Sequence, residues 1–357
     1  MKQVFIKKGR AIVEEIPSPV VDENSLLVEV AYSLISSGTE SAGVSQSGQS
    51  LVEKALRQPD AVEKVIRKVR RDGLVRTWQT VQGQFESGMA TGYSCAGIVI
   101  EAGKNLREFQ PGMRVACAGA GRASHAEVVS VPRNLVVGIP EGCDLRDAAS
   151  VALGAIALQG VRRASPGLGE TVAVLGLGLV GQITVQLLRL SGVRVVGFDL
   201  VEARVRRAEE LGMSKGFHDH EACTTWIQQL TGGNGVDATI ITAASSESEI
   251  VNDAMRMTRR KGRVVVVGDV GLSLKRSPFY EKEIDFLISC SYGPGRYDPG
   301  YEESGVDYPL PYVRWTENRN MQEYLQLLAE KRLCFSKLIP RPTLVCSLIR
   351  LPGVFDH

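Results

Sequence analysis

The chain alternates between two hydrophobic rhythms. Short Val- and Ile-rich runs open it, at Val4-Phe-Ile, Ala11 to Ile16 and Leu26 to Tyr32. Pro17, Pro19 and the cluster Asp22-Glu-Asn-Ser separate them, which predicts β-strands punctuated by turns. From Leu51 to Arg76 the pattern changes. Val52, Leu56, Val62, Val65, Ile66 and Val69 recur at helical spacing, with a break and restart at Pro59-Asp60. Strand character returns from Tyr93 to about Val137, over 97–103, 114–118 and 125–132. Ala148 to Val161 is rich in small residues and reads as a helix suited to close packing. Beyond Thr171 strands are expected at 171–176, 194–198, 215–217, 236–242, 263–268 and 284–290, with helices starting near 180, 202, 220 and 248. Such alternation predicts a parallel sheet covered on both faces.

The first strand–helix junction of that sheet carries Gly176-Leu-Gly178-Leu-Val-Gly181. G-x-G-x-x-G alone is a weak signal, but here it follows an apolar strand and opens an amphipathic helix. Gly176 permits the tight turn, Gly178 the approach of a pyrophosphate, and Gly181 close helix–strand packing. Leu179 and Val180 open the helix, whose N-terminus would receive the pyrophosphate. The second strand ends at Asp199, about 20 residues on, where a carboxylate binds both ribose hydroxyls of the adenosine. A carboxylate there repels a 2′-phosphate, so NAD(H) is preferred over NADP(H). Arg204 and Arg206 temper that preference. Thr242 and Gly268, at later strand ends, complete the expected cofactor site.

Composition narrows the class. At 357 residues the chain is long enough for two domains, and 44% hydrophobic with 23% charged residues excludes disorder over most of its length. Forty-two Lys and Arg against 40 Asp and Glu give a net charge of +2, no global case for nucleic acid or an anionic membrane. The seven cysteines include no Cys-x-x-Cys, so neither a disulfide framework nor a compact zinc knuckle is encoded. Neither a signal peptide nor a bilayer-spanning run is apparent, and the cytoplasm is the expected compartment. The segment 51–76 holds eight Lys and Arg against four acids. It reads as a solvated helical face or as a surface for a phosphorylated or nucleic-acid partner. With only Trp78 nearby for stacking, nucleic acid is unlikely there.

Order and motif together resemble the medium-chain dehydrogenase/reductase superfamily over roughly residues 1 to 340. The resemblance rests on Val28 to Glu40, Gly92-Tyr-Ser-Cys-Ala-Gly, Pro111-Gly-Met-Arg-Val and the glycine motif, in that order. It implies an α/β protein: a GroES-like β-domain over 1–147 with a basic helical insertion at about 51–80, a Rossmann domain over 148–290, and a return segment over 291–340 packing on the substrate domain. A cleft is expected between the domains. Zinc-dependent members have Cys-Gly-Thr-Asp where this chain has Ser37-Gly38-Thr39-Glu40, and Gly-His-Glu where it has Gly92-Tyr93-Ser94. A third ligand is missing from Val151-Ala-Leu-Gly-Ala, and the four-cysteine lobe is absent. Hydroxyls replace thiolate and imidazole poorly, so no zinc is expected. Ile35 to Ser41 and Ser289 to Glu303 are similar to the branch that includes bacteriochlorophyllide-type dehydrogenases and bi-domain oxidoreductases. The tail 341–357 departs from that branch, as a truncated longer protein would.

The resemblance implies a zinc-independent hydride transfer between nicotinamide and an alcohol or carbonyl small molecule, sugar-like molecules among them. Tyr93, in a metal ligand's place, is expected to face the cleft and handle the proton, with Ser37 and Thr39 bonding the substrate oxygen or the ribose. His125 is a second candidate for the proton. Glu40, Tyr292 and Arg296 are expected at the substrate, and Arg319 nearby. A homodimer through the strand Ile284 to Ser289, at the Rossmann sheet edge, is the family default. The competing reading is a non-catalytic dinucleotide-binding sensor, or a nucleic-acid-binding module that uses segment 51–76.

Overall fold

The computed structural model describes residues 1–7, 9–36, 38, 40 and 88–339. The basic segment 51–76, Ser37, Thr39 and the tail 341–357 lie outside the described residues. Two compact units share the rest: Met1 to Met113 with Cys117–Val131, and Arg114–Ala116 with the chain from Pro132 onward. The boundary thus falls at Val131–Pro132, and residues 291–339 belong with the parallel sheet.

The first unit is antiparallel. Its strands are β1 (Lys2–Lys7), β2 (Arg10–Glu15), β3 (Ser25–Ser33), β4 (Met89–Ala90), β5 (Ser94–Ala102), the end of β6 (Arg114–Ala118, of which Cys117 and Ala118 fall in this unit) and β7 (Val128–Pro132). β1 and β2 pair without a slip from Lys2 opposite Glu15 to Lys7 opposite Arg10, and β4 adds to β1. The larger sheet has five strands, four of which run here in the order β7-β3-β5-β6. Two register shifts between β3 and β5, at Leu27/Val28 and Val30/Tyr32, bend the pair. Leu26, Val28, Cys95, Val99, Val129 and Val131 are buried, so the Val-rich runs supply the core. This curled sheet is the GroES-like domain.

In the second unit, β8 (Val136–Gly138), α1 (Leu145–Ala148) and α2 (Val151–Ala164) lead into β9 (Thr171–Leu175), α3 (Leu179–Leu190), β10 (Arg194–Phe198), α4 (Glu202–Glu210), β11 (Lys215–Phe217) and α5 (His220–Leu230). There follow β12 (Val236–Ile241), α6 (Glu249–Met257), β13 (Thr258–Val266), α7 (Arg276–Glu281), β14 (Asp285–Ile288), α8 (Pro299–Glu302) and α9 (Glu317–Ala329). The parallel sheet has the order β11-β10-β9-β12-β13-β14. Counted from β9 this is 3-2-1-4-5-6, the doubly wound Rossmann order. All five residues of β9 are buried, as a central strand covered on both faces requires.

Several boundaries depart from the hydrophobic pattern, with β5 starting at Ser94 rather than 97 and β7 at Val128 rather than 125. β13 starts at Thr258 rather than 263, because Arg259-Arg-Lys-Gly carries no apolar signal although Thr258 is buried and its hydroxyl lies 2.7 Å from that of Thr239. The small-residue helix is divided before Val151. Asp144 caps α1 by accepting from the Arg146 amide at 2.7 Å, and the Ser150 hydroxyl lies 2.7 Å from that of Tyr324. Close packing of α2 is real: a Cβ on Gly154 would sit 2.2 Å from the Tyr324 ring of α9.

The residues before α9 enclose an acid. Thr316 caps the helix, and Glu317 behind it is 0% exposed, with neither carboxyl oxygen hydrogen-bonded to any of the described residues. Burial, then repulsion from Glu302, pushes Glu317 up to about 8, while Arg296 works in the opposite direction. The folded chain therefore keeps this proton at pH values where the unfolded chain has lost it. Its stabilising contribution is full below the ordinary carboxylate range and is lost as pH rises towards about 8. Denaturation followed from pH 5 to 9 should show wild-type stability falling with pH, and Glu317→Gln should flatten that fall. Each 1 kcal/mol should appear as about 2–4 °C in Tm. Parallel profiles for the two proteins would show that Glu317 carries no such proton.

Candidate functional site

The carboxyl ends of β9 and β12 mark the point where the strand order reverses, the place where open α/β sheets bind ligands. Gly176 leaves β9 with φ +95°, and a Cβ there would meet the Ala243 amide nitrogen at 2.5 Å. The turn therefore needs both the backbone freedom and the missing side chain of glycine. A Cβ on Gly181 would stand 2.0 Å from the Gly176 carbonyl, so the helix starts hard against the turn. Gly178 differs: nothing lies within 4 Å of its virtual Cβ, which leaves room for a ligand's approach. It is the N-cap of α3 and provides no side-chain cap, so the first turn, with half-buried Leu179 and Val180, keeps donors for an anion.

Asp199 follows β10 and is buried at 6% exposure. One oxygen accepts from the Leu177 amide at 2.7 Å, and the other from Val201 at 2.9 Å, with Arg204 at 3.4 Å. The acid is thus tied to the glycine turn, and each oxygen retains acceptor capacity for a ribose hydroxyl. Gln182 braces the same turn by donating to the carbonyls of Leu177 and Arg204 at 2.9 and 2.8 Å. Thr242 donates to the Gly176 carbonyl, and Gly268 packs against the Ala243 carbonyl. A further group at this end of the sheet escaped the motif reading: Ser289 follows β14, is buried, and its hydroxyl has no partner among the described residues. Its position after a strand was the only signal. These residues fit a dinucleotide.

In the first unit, half-buried Tyr93 follows Gly92, and its carbonyl accepts from Gly119 at 3.0 Å. Gly92 has φ +88°, and its virtual Cβ would lie 2.7 Å from the His125 amide and 2.8 Å from Nδ1 of that ring. His125 is 4% exposed. Its backbone is held between the Val4 amide and the Thr91 carbonyl, each at 2.8 Å. Its ring lies between two side chains, with Nδ1 2.9 Å from Ser33 Oγ and Nε2 3.0 Å from Glu40 Oε1. That Glu40 oxygen also accepts from the Ser36 amide at 3.1 Å. Glu40, expected at the substrate, is 6% exposed and turned to His125. Ser33 was not singled out by sequence, since it ends an ordinary strand.

The remaining expected residues serve the second unit. Tyr292 is buried, and its carbonyl accepts from Asn320 at 2.8 Å. Arg296 pairs with Glu302 at 2.5 Å and stacks over Tyr297, 4.2 Å from the ring centre. Arg319 donates to Asp307 and to the carbonyls of Val313 and Tyr308. Structural zinc and catalytic zinc both need three or four Cys, His or carboxylate ligands. Among the described residues no group of three or more such side chains could hold a metal ion.

Residues 180–303 match the family model described as zinc-binding dehydrogenase. An alcohol dehydrogenase of Geobacillus stearothermophilus is 30% identical over 146 residues, 40% of this chain and 42% of that protein. The D-guloside 3-dehydrogenase of Escherichia coli K12 is 27% identical over 273 residues, 72% of this chain and 69% of the relative. The chain spans 60%, 42% and 60% of the length of the first three curated relatives it matches. Galactitol-1-phosphate dehydrogenase from Escherichia coli shares the fold, with a TM-score of 0.71 and 16% identity, covering 95% of this chain and 92% of the other. The fold is thus shared along nearly the whole chain with that dehydrogenase structure, and residues 180–303 are similar in sequence to the zinc-binding dehydrogenase family.

Proposed function

We propose that the chain is a pyridine-nucleotide-dependent oxidoreductase that interconverts an alcohol and its carbonyl on a small polyol- or sugar-like molecule. It uses NAD(H) in preference to NADP(H), without zinc. The observation that carries the proposal is Asp199, buried at the end of β10 and tied to the glycine turn through the Leu177 amide. A carboxylate held there accepts ribose hydroxyls and repels a 2′-phosphate. The substrate class is supported by relatives named for alcohol, guloside and sorbitol.

When bound, the nicotinamide supplies the hydride acceptor or donor. The chain's own residues then divide the remaining work. The first turn of α3 receives the pyrophosphate, Asp199 orients the adenosine, and Ser289 offers a free hydroxyl at the same end of the sheet. Tyr93 polarises the substrate oxygen and handles its proton, with Ser37 and Thr39 hydrogen-bonding that oxygen or the ribose, and His125 is the second candidate for the proton. Such acid–base positioning contributes about 10²–10⁴-fold. Two copies pair through β14, the edge strand of the sheet, where Ile288 is 51% exposed. The cytoplasm suits six free cysteines among the described residues.

Fluorescence titration should show tighter binding of NADH than of NADPH. Asp199→Ala should weaken NADH by roughly tenfold to a hundredfold, the size of one or two lost charge-assisted hydrogen bonds, and erase the preference. A thermal-denaturation control is needed because Asp199 also holds the turn. Equal affinities in the wild type would mean that Asp199 does not read the ribose. Plasma mass spectrometry on the same preparation should find substoichiometric zinc; a full equivalent would overturn the metal-free assignment. Tyr93→Phe should lose turnover while keeping NADH affinity, and unchanged turnover would remove Tyr93 from the chemistry.

A further inference from the structure

We infer that Ser33, His125 and Glu40 form a buried proton relay in which Glu40 fixes the tautomer of His125 and Ser33 is the end through which the proton enters and leaves. The inference rests on the oxidoreductase reading above for its purpose, but not for its geometry. A carboxylate offers only acceptors, so the 3.0 Å contact with Glu40 Oε1 requires Nε2 of His125 to carry a hydrogen. In the neutral ring the lone pair is then on Nδ1, and the Ser33 hydroxyl, 2.9 Å away, donates to it. A base oriented by an acid and bonded to a hydroxyl is the geometry by which a serine is made ready to give up its proton.

Exposure gives the relay a direction. His125 is 4% and Glu40 6% exposed, whereas Ser33 is half-buried. Among the described residues, Glu40 is the one carboxylate that reaches the ring. Glu127, two residues along the chain, turns instead to the Lys2 amide at 2.8 Å. From β1 and the turn before β5, His125 meets the Val4 amide and the Thr91 carbonyl through its backbone, and the bare Gly92 beside its ring. A charged imidazolium there has one counter-ion, Glu40, itself oriented by the Ser36 amide.

The step balances. In alcohol oxidation a bound oxidised nicotinamide would supply the acceptor for the carbinol hydride, while the hydroxyl proton passes to Ser33 Oγ. As that bond forms, the Ser33 O–H proton moves to Nδ1 of His125, leaving an imidazolium against the Glu40 carboxylate. Carbonyl reduction runs the same steps backwards. Glu40 touches neither substrate nor cofactor in this scheme and is a positioning residue.

The test is nitrogen-15 NMR on the full chain carrying labelled histidine, of which the sequence has only four, with NAD⁺ present. Neutral His125 should be the Nε2–H tautomer. Glu40→Gln, whose amide can donate or accept, should mix the tautomers, and Glu40→Asp should restore the single form at least in part. An Nδ1–H ring in the wild type, or an unchanged ring in Glu40→Gln, overturns the relay. A second arm uses sorbitol with NAD⁺ as the probe reaction. Ser33→Ala and Glu40→Gln should each lower kcat by roughly tenfold to a hundredfold and change the solvent deuterium effect, with the KM for NAD⁺ unmoved. Wild-type kcat in both variants overturns the relay. A wild type that oxidises no polyol counts against the oxidoreductase reading, and the tautomer still decides the relay.

Discussion

The second unit is organised around one steric constraint: at the end of β9 two backbones pass too close for a side chain. The strand must leave the sheet centre and enter α3 within three residues, while the end of β12 crosses in contact with Gly176. Even an added methyl in such a place forces shifts that cost about 1–3 kcal/mol. Once the turn is set, its polar groups are claimed from three directions. Asp199 takes the Leu177 amide, Gln182 the Leu177 carbonyl, and Thr242 the Gly176 carbonyl. What is left over is the first turn of α3, with its donors free and no Cβ before it. The binding feature is the remainder after the turn's own hydrogen bonds have been satisfied.

Legibility in the sequence follows from how local each determinant is. The Rossmann half was readable almost to the residue because strand ends, glycines and helix starts lie within a few positions of one another. Asp219, for example, caps α5 through the Ala222 amide at 2.7 Å. The start of β13 was hidden because a paired strand residue need not be apolar, and Arg259-Arg-Lys gives no periodicity. The residues around the His125 ring were only half visible. His125 was named for its chemistry and Glu40 for its place in a motif, yet they are 85 residues apart in sequence, and Ser33 is 92 from His125. No periodicity spans such distances; only the fold of the first unit brings them together. Gly92 held the clue. Beside a candidate Tyr93 it reads as turn chemistry, but its missing Cβ is the space taken by the His125 ring.

Two buried glutamates show why the partner matters more than the depth. Glu40 and Glu317 are both nearly or fully removed from water. Glu40 has two donors on one oxygen, the His125 ring and the Ser36 amide. Glu317 has none, although it lies at a helix start where a carboxylate is ordinarily welcome. Near it, the Arg296 guanidinium is already paired with Glu302. Two acids sharing one cation cannot both ionise cheaply out of water, and the unpartnered one keeps its proton. The same residue type therefore does opposite work in the two units: one orients an imidazole, and the other stores a proton behind the cap of α9. Environment makes the assignment, which is why neither role could be read from the letter E at positions 40 and 317.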